Sequence, residues 1–174
     1  MTIENLNSAE YDGFFENYLK VLPKNIGLLR LLEQGKQETT TYFKSIPTDK
    51  LMFSYAEAKW TPKEILLHLV DTERILAYRA LRIARRDRTE LEGFNENDFA
   101  TASNANMIAI HDLLEEYLHV RNATISLFKN FSHETLKLTG IANAKEISVG
   151  AIGFILAGHE LHHLKIIEER YLKS

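Results

Sequence analysis

The sequence predicts an all-α fold, a four-helix bundle preceded by a short extra N-terminal helix. Three observations carry this. Four stretches of about 20 residues place apolar side chains at helical spacing. The three prolines, Pro23, Pro47 and Pro62, stand at the edges of those stretches, where a missing backbone N–H is tolerated. No segment alternates strongly as a half-buried strand would, and there is no internal repeat or low-complexity tract. Helices of this length joined by loops pack as a four-helix bundle. The 174 residues, 1–174, are read as one domain, since two would each be very small.

The elements follow in order. AEYDGFFENYLKVL is a short amphipathic piece expected to pack as the N-terminal helix. The first long helix is expected over roughly Lys24 to Ser45, with Ile26, Leu29, Leu32, Tyr42 and Phe43 among its apolar positions and Gly35 weakening its middle. The second begins at KWTPKE, where Thr61 is an N-cap, Pro62 takes the first helical position and Glu64 completes a capping box. Its arginine-rich end near Arg85–Arg88 suits the negative end of the helix dipole. TELEGFNENDFATASN reads as a loop. The third helix is expected from about Ala105 to Phe131 and the fourth from about Ser148 to Tyr171.

Composition excludes several functions. With 45% hydrophobic and 26% charged residues the chain can bury a sizeable core. A formal charge of −3 argues against binding nucleic acid or membranes by charge. Five arginines fall in RALRIARRDR, but they sit at a helix C-terminus, acids follow closely and no aromatic stacking pattern accompanies them, so ion pairing is favoured over nucleic-acid binding. There is no apolar run long enough to span a bilayer, and MTIENLNSAEYDG does not read as a signal peptide, so the expected location is cytoplasmic. There are no cysteines, which removes disulfides, a Cys nucleophile and thiolate metal ligands.

The chemistry concentrates in GHELHHLKII, which holds three of the seven histidines. Phased at about 100° per residue, His159 and His163 straddle the apolar face marked by Ile152, Leu156 and Ile167. His162 falls on the flank beside Lys165 and Glu169. Two inward imidazoles at i and i+4 either coordinate a metal from one helix or sit in the core as a hydrogen-bonded pair; HxxxH alone serves both readings. On the second helix, His68 heads a polar stripe with Thr72 and Arg79 that borders the core face. It is either a third ligand or a boundary histidine that packs there. His111, His119 and His133 lie among polar neighbours and read as surface residues.

KWTPKEILLHLVDTERILAYRALRIARRD, LEGFNENDFA and GHELHHLKIIEERYL together resemble the DinB/YfiT-like superfamily of metalloenzymes, in the family's order and over roughly Tyr11 to Leu172. The resemblance implies a four-helix bundle with a long crossover connection. It also implies a divalent metal, commonly zinc or nickel, on His68, His159 and His163, all three ligand positions being filled. It leaves the activity broad: members include transferases that use a low-molecular-weight thiol such as bacillithiol, and mycothiol- or glutathione-dependent isomerases and transferases.

Three neutral histidines leave a coordination position open. Such a centre can lower the pKa of bound water toward about 7, or hold an exogenous thiol as thiolate. The expectation is therefore a metal-dependent S-transferase or hydrolase acting on a small molecule, with a non-catalytic, stress-related metal-binding bundle as the alternative. Thr72 and Arg79 are the candidate substrate contacts; Arg79 suits a carboxylate, or an ion pair with the acids of the following loop. Glu64, Glu160 and Asp71 read as surface carboxylates. Trp60, Tyr78 and Phe94 line a pocket or belong to the core. His162 and Lys165 mark a side on which two copies could meet as a homodimer.

Overall fold

In the computed structural model, which describes residues 1–173, the helices are α1 Glu16–Leu19, α2 Leu28–Ser45, α3 Pro62–Ala84, α4 Glu96–Ala102, α5 Ile110–Lys129, α6 His133–Leu136 and α7 Val149–Ile167. The strands β1 Thr139–Ala142 and β2 Lys145–Ser148 pair antiparallel. The four long helices α2, α3, α5 and α7 form the expected bundle. Among the described residues no helix is long and apolar enough to cross a membrane.

The start of α3 is the capping box read from the sequence. The Thr61 amide donates to Glu64 Oε2 at 2.7 Å, and the Glu64 amide donates back to Thr61 Oγ1 at 3.2 Å. Ser148 caps α7 by accepting from the Ala151 amide at 3.0 Å. A π-helical turn, Glu168–Leu172, extends α7 to the length expected.

Other boundaries moved. The expected N-terminal helix breaks into 3-10 turns before α1, because the Asn7 and Asp12 side chains take the amides of Ala9 and Phe14 and compete with helix propagation. α2 begins at Leu28 rather than near Lys24, where the Leu28 amide donates to the Met1 carbonyl. α5 begins at Ile110, since Asn104 is left-handed (φ 53°) and Ile108 is extended. The segment 89–104, read as a loop, contains α4, capped by Asn95. The β1–β2 hairpin was not anticipated. Its two turn residues, Asn143 and Ala144, both have positive φ (52° and 59°), as in a type I′ turn.

α2 and α3 each pack mainly against both α5 and α7. The consecutive helices α2 and α3 therefore lie across the bundle's diagonal, and the segment 46–61 is the crossover between them. The apolar core is in two parts. One gathers Leu28, Leu31, Leu32, Leu76, Phe128 and the first half of α7; the other gathers Phe43, Ile46, Ile65, Leu66, Leu67, Leu69, Val70, Leu113, Leu114, Tyr117 and Ile167. Between them, at mid-height, each long helix turns a polar residue inward: Thr39, Glu73, Arg121 and Glu160. The histidines belong to this polar belt.

Candidate metal centre

α3 contributes His68 and α7 contributes His159 and His163, and the three side chains meet inside the bundle. His68 Nε2 lies 3.1 Å from His159 Nε2, which lies 3.0 Å from His163 Nε2. The three nitrogens all fall within 4.8 Å of one another. The residues are buried, at 5%, 6% and 9% exposure. Thr72, one turn beyond His68, places its hydroxyl 3.4 Å from His68 Nδ1, while His163 Nδ1 is buried without a partner. The Trp60 ring packs 4.7 Å from that of His68 and stacks more distantly on His163, and Tyr18 lies edge-on to His159 at 5.3 Å.

This environment keeps the imidazoles neutral. Burial pushes the pKa of His68 from 6.5 down to about 4. Burial, then the neighbouring His68 and His162, brings His163 to about 3. His159 is driven well below the usual range by burial first and the other histidines second. Neutral imidazole is the metal-binding form. Three Nε2 atoms turned toward one point leave more lone pairs there than shared protons can satisfy. A tetrahedral zinc with bonds of about 2.0–2.1 Å sets its nitrogens about 3.3 Å apart, close to the two edges seen here. The donor set fits a divalent ion.

A cleft of about 900 Å³ opens beside the cluster, and His159, Thr72 and Arg79 are among its walls. Thr72 and Arg79 are thus brought to the same cavity as His159. Arg79 does not form the ion pair weighed from the sequence; its Nη2 donates to the backbone carbonyl of Glu92 at 2.5 Å. Phe94 lines the cleft, Trp60 packs on the histidines and Tyr78 is exposed. His162 stays on the flank, half-buried against Tyr18. His111, His119 and His133 are exposed. In the arginine run, Arg82 pairs with Asp87 and Tyr78.

Glu160 is a correction. It is 1% exposed, accepts from Tyr117 Oη at 2.6 Å and from Thr39 Oγ1, and lies 2.5 Å from Arg121 Nη2. Arg121 also forms a fork with Glu73, Nε and Nη2 each donating at 2.8 Å. Burial opposes the Arg121 charge, but Glu160 and Glu73 outweigh it and hold its pKa well above the usual range. Gly35 makes room for this network: a Cβ there would stand 2.9 Å from Glu160 Oε2 and 3.2 Å from Arg121 Nη1. Sequence reasoning missed Arg121. Its signal was a charge in phase with the apolar positions Leu114, Tyr117 and Phe128. Of the other two carboxylates, Glu64 serves the α3 cap, and Asp71 lies partly buried, 3.7 Å from Arg74.

The sequence profile of the DinB superfamily matches residues 31–167. The fold is similar to that of YfiT from Bacillus subtilis, described as a probable metal-dependent hydrolase with an unusual four-helix bundle topology. The TM-score is 0.73 at 13% identity, covering 87% of this chain and 91% of that one. No curated protein matches the sequence significantly.

Proposed function

The chain belongs to the DinB superfamily, and from that premise we propose that it is a metal-dependent enzyme acting on a small molecule, with His68, His159 and His163 holding a divalent ion, zinc or nickel. The observation that carries this is the convergence of three buried, neutral Nε2 atoms, with His159 among them lining a cleft. When bound, such an ion supplies a Lewis acid and brings a water or thiol to its anion near neutral pH. The chain's own residues do the rest. Thr72 steadies His68 through Nδ1, so that Nε2 keeps its lone pair for the ion. Trp60 packs against His68 and Tyr18 against His159, holding the rings in place. The cleft admits the substrate from the His159 side.

Hydrolysis is the first reading, supported by the three-nitrogen donor set and by the description of YfiT. Thiol transfer is the second, favoured by one observation: with no cysteine in the chain, any sulfur nucleophile must be a cosubstrate. The test is metal analysis of purified protein by mass spectrometry, then turnover assays with and without that metal on ester, amide and phosphoester panels and on an electrophile plus a low-molecular-weight thiol. About one ion per chain is expected for a single three-histidine site, with turnover lost on chelation. Protein with no affinity for zinc or nickel overturns the reading. A bound ion without metal-dependent turnover favours the non-catalytic alternative. A homodimer meeting on the His162–Lys165 side is proposed separately, and light scattering tests it.

A further inference from the structure

The cleft has a polarity that the metal centre does not explain. α3 turns His68, Thr72, Leu76 and Arg79 to one side at spacings of four, four and three residues. The last three line the cleft, and His68 stands behind Thr72 at the histidine end. At about 1.5 Å per residue the stripe runs about 16 Å along the helix axis, from the His68 backbone to that of Arg79. It reads as nitrogen ligand, hydroxyl, apolar surface, cation.

Arg79 is the unusual member. The other two arginines that are not exposed both find carboxylates: Arg82 pairs with Asp87, and Arg121 with Glu73 and Glu160. Arg79 is as buried as a core residue, at 8% exposure, yet among the described residues it meets no carboxylate. Its one hydrogen bond among the described residues, to the Glu92 carbonyl, anchors the guanidinium and leaves its remaining N–H groups open to the cleft. Burial lowers its pKa, with no neighbouring charge among the described residues to hold it up. A partly desolvated cation that meets no anion favours a ligand that brings one. The other charges of the cleft limit that ligand. Lys145 is already paired with Asp12 at 3.1 Å, and Glu96 opposes a second negative charge. Leu76, Ile155 and Phe94 give the space between the two ends an apolar lining.

We propose that the cleft takes a small monocarboxylic acid with an extended apolar body, its carboxylate on Arg79 and its far end at the histidines. This rests on the proposed function only in making that far end the reacting end; the carboxylate site itself stands on Arg79. A guanidinium fork receives a carboxylate through two parallel hydrogen bonds, so the acid acts as a handle that sets how far the chain reaches toward His159.

The test is calorimetric titration of the purified protein, before and after chelation, with octanoate, 1-octanol and octyl phosphate. Saturable octanoate binding is expected, with 1-octanol about tenfold or more weaker, as loss of a charged hydrogen-bonded partner entails. Arg79→Gln is expected to weaken octanoate about tenfold or more and to leave 1-octanol unchanged. Arg79→Lys, which keeps the charge but not the fork, falls between. Should Arg79→Gln fold poorly in a melting scan, Arg79→Lys carries the comparison. Absence of saturable octanoate binding to the wild type, equal binding of octanoate and 1-octanol, tighter binding of octyl phosphate, or indifference to both variants overturns the proposal. Arg79-dependent binding that persists after chelation upholds the carboxylate site even if no metal-dependent turnover is found, so the two readings fail separately.

Discussion

His163 brings an imidazole to the cluster without a partner for its own Nδ1, so its worth lies in Nε2. Replacing His163 by Ala is expected to reduce zinc affinity by more than about 100-fold, read by competition with a chelating dye, since two nitrogens replace three. Thr72→Val should cost about tenfold in the same assay and Thr72→Ser much less, because only the hydroxyl near His68 Nδ1 is at stake. The histidines also predict an acid limit for the metal-free protein. The unfolded chain takes up protons below about pH 6.5, whereas folded His68 resists until about 4. The stability from keeping it neutral is whole above pH 6.5 and is lost as pH falls toward 4. Melting temperature in chelator should drop across that window, and the drop should shrink in His68→Asn. At this scale the sequence separated His159 and His163 from His162 by phase alone. It failed for Glu160 because α7 is buried at every position from Val149 to Glu160. A helix apolar on all sides has no solvent face for phasing to assign.

Among the elements, α2 is instructive for its glycine. In an exposed helix, Gly→Ala gains up to about 1 kcal/mol. Gly35→Ala is expected instead to lose roughly 1–2 kcal/mol in denaturant unfolding, because its Cβ would press on Glu160 and Arg121. Arg121→Ala should lose roughly 3–5 kcal/mol by leaving two buried carboxylates without their cation. The four long helices were legible because each carries a sustained apolar period, and the α3 start because its cap is local chemistry. The hairpin was not. Its strands are four residues each, and its turn is Asn-Ala, where Asn-Gly would have signalled positive φ. Arg121 escaped because a charge in an apolar phase declares itself only once two partners from other helices are in place.

For the whole molecule, the polar belt between two apolar clusters ties α2, α3, α5 and α7 together at the level of the histidines. An ion bound only by the folded state adds stability by mass action, about 4 kcal/mol at a thousandfold excess over its Kd. Chelation should then lower the melting temperature by on the order of 10 °C, and His163→Ala should melt at the same temperature with or without chelator. The family resemblance and the bundle class were both legible in the sequence. The cleft was not, since the hairpin and the segment after α3 that wall it carry no periodic signal of their own.

Trp60 is the only tryptophan in the chain, and its ring lies 4.7 Å from that of His68. The protein therefore carries its own optical probe at the site. Its emission should be quenched by bound nickel, an open-shell ion, and hardly altered by zinc, which has a filled d shell. A single fluorescence titration would then distinguish which ion the centre holds and follow its exchange in real time, with no label attached.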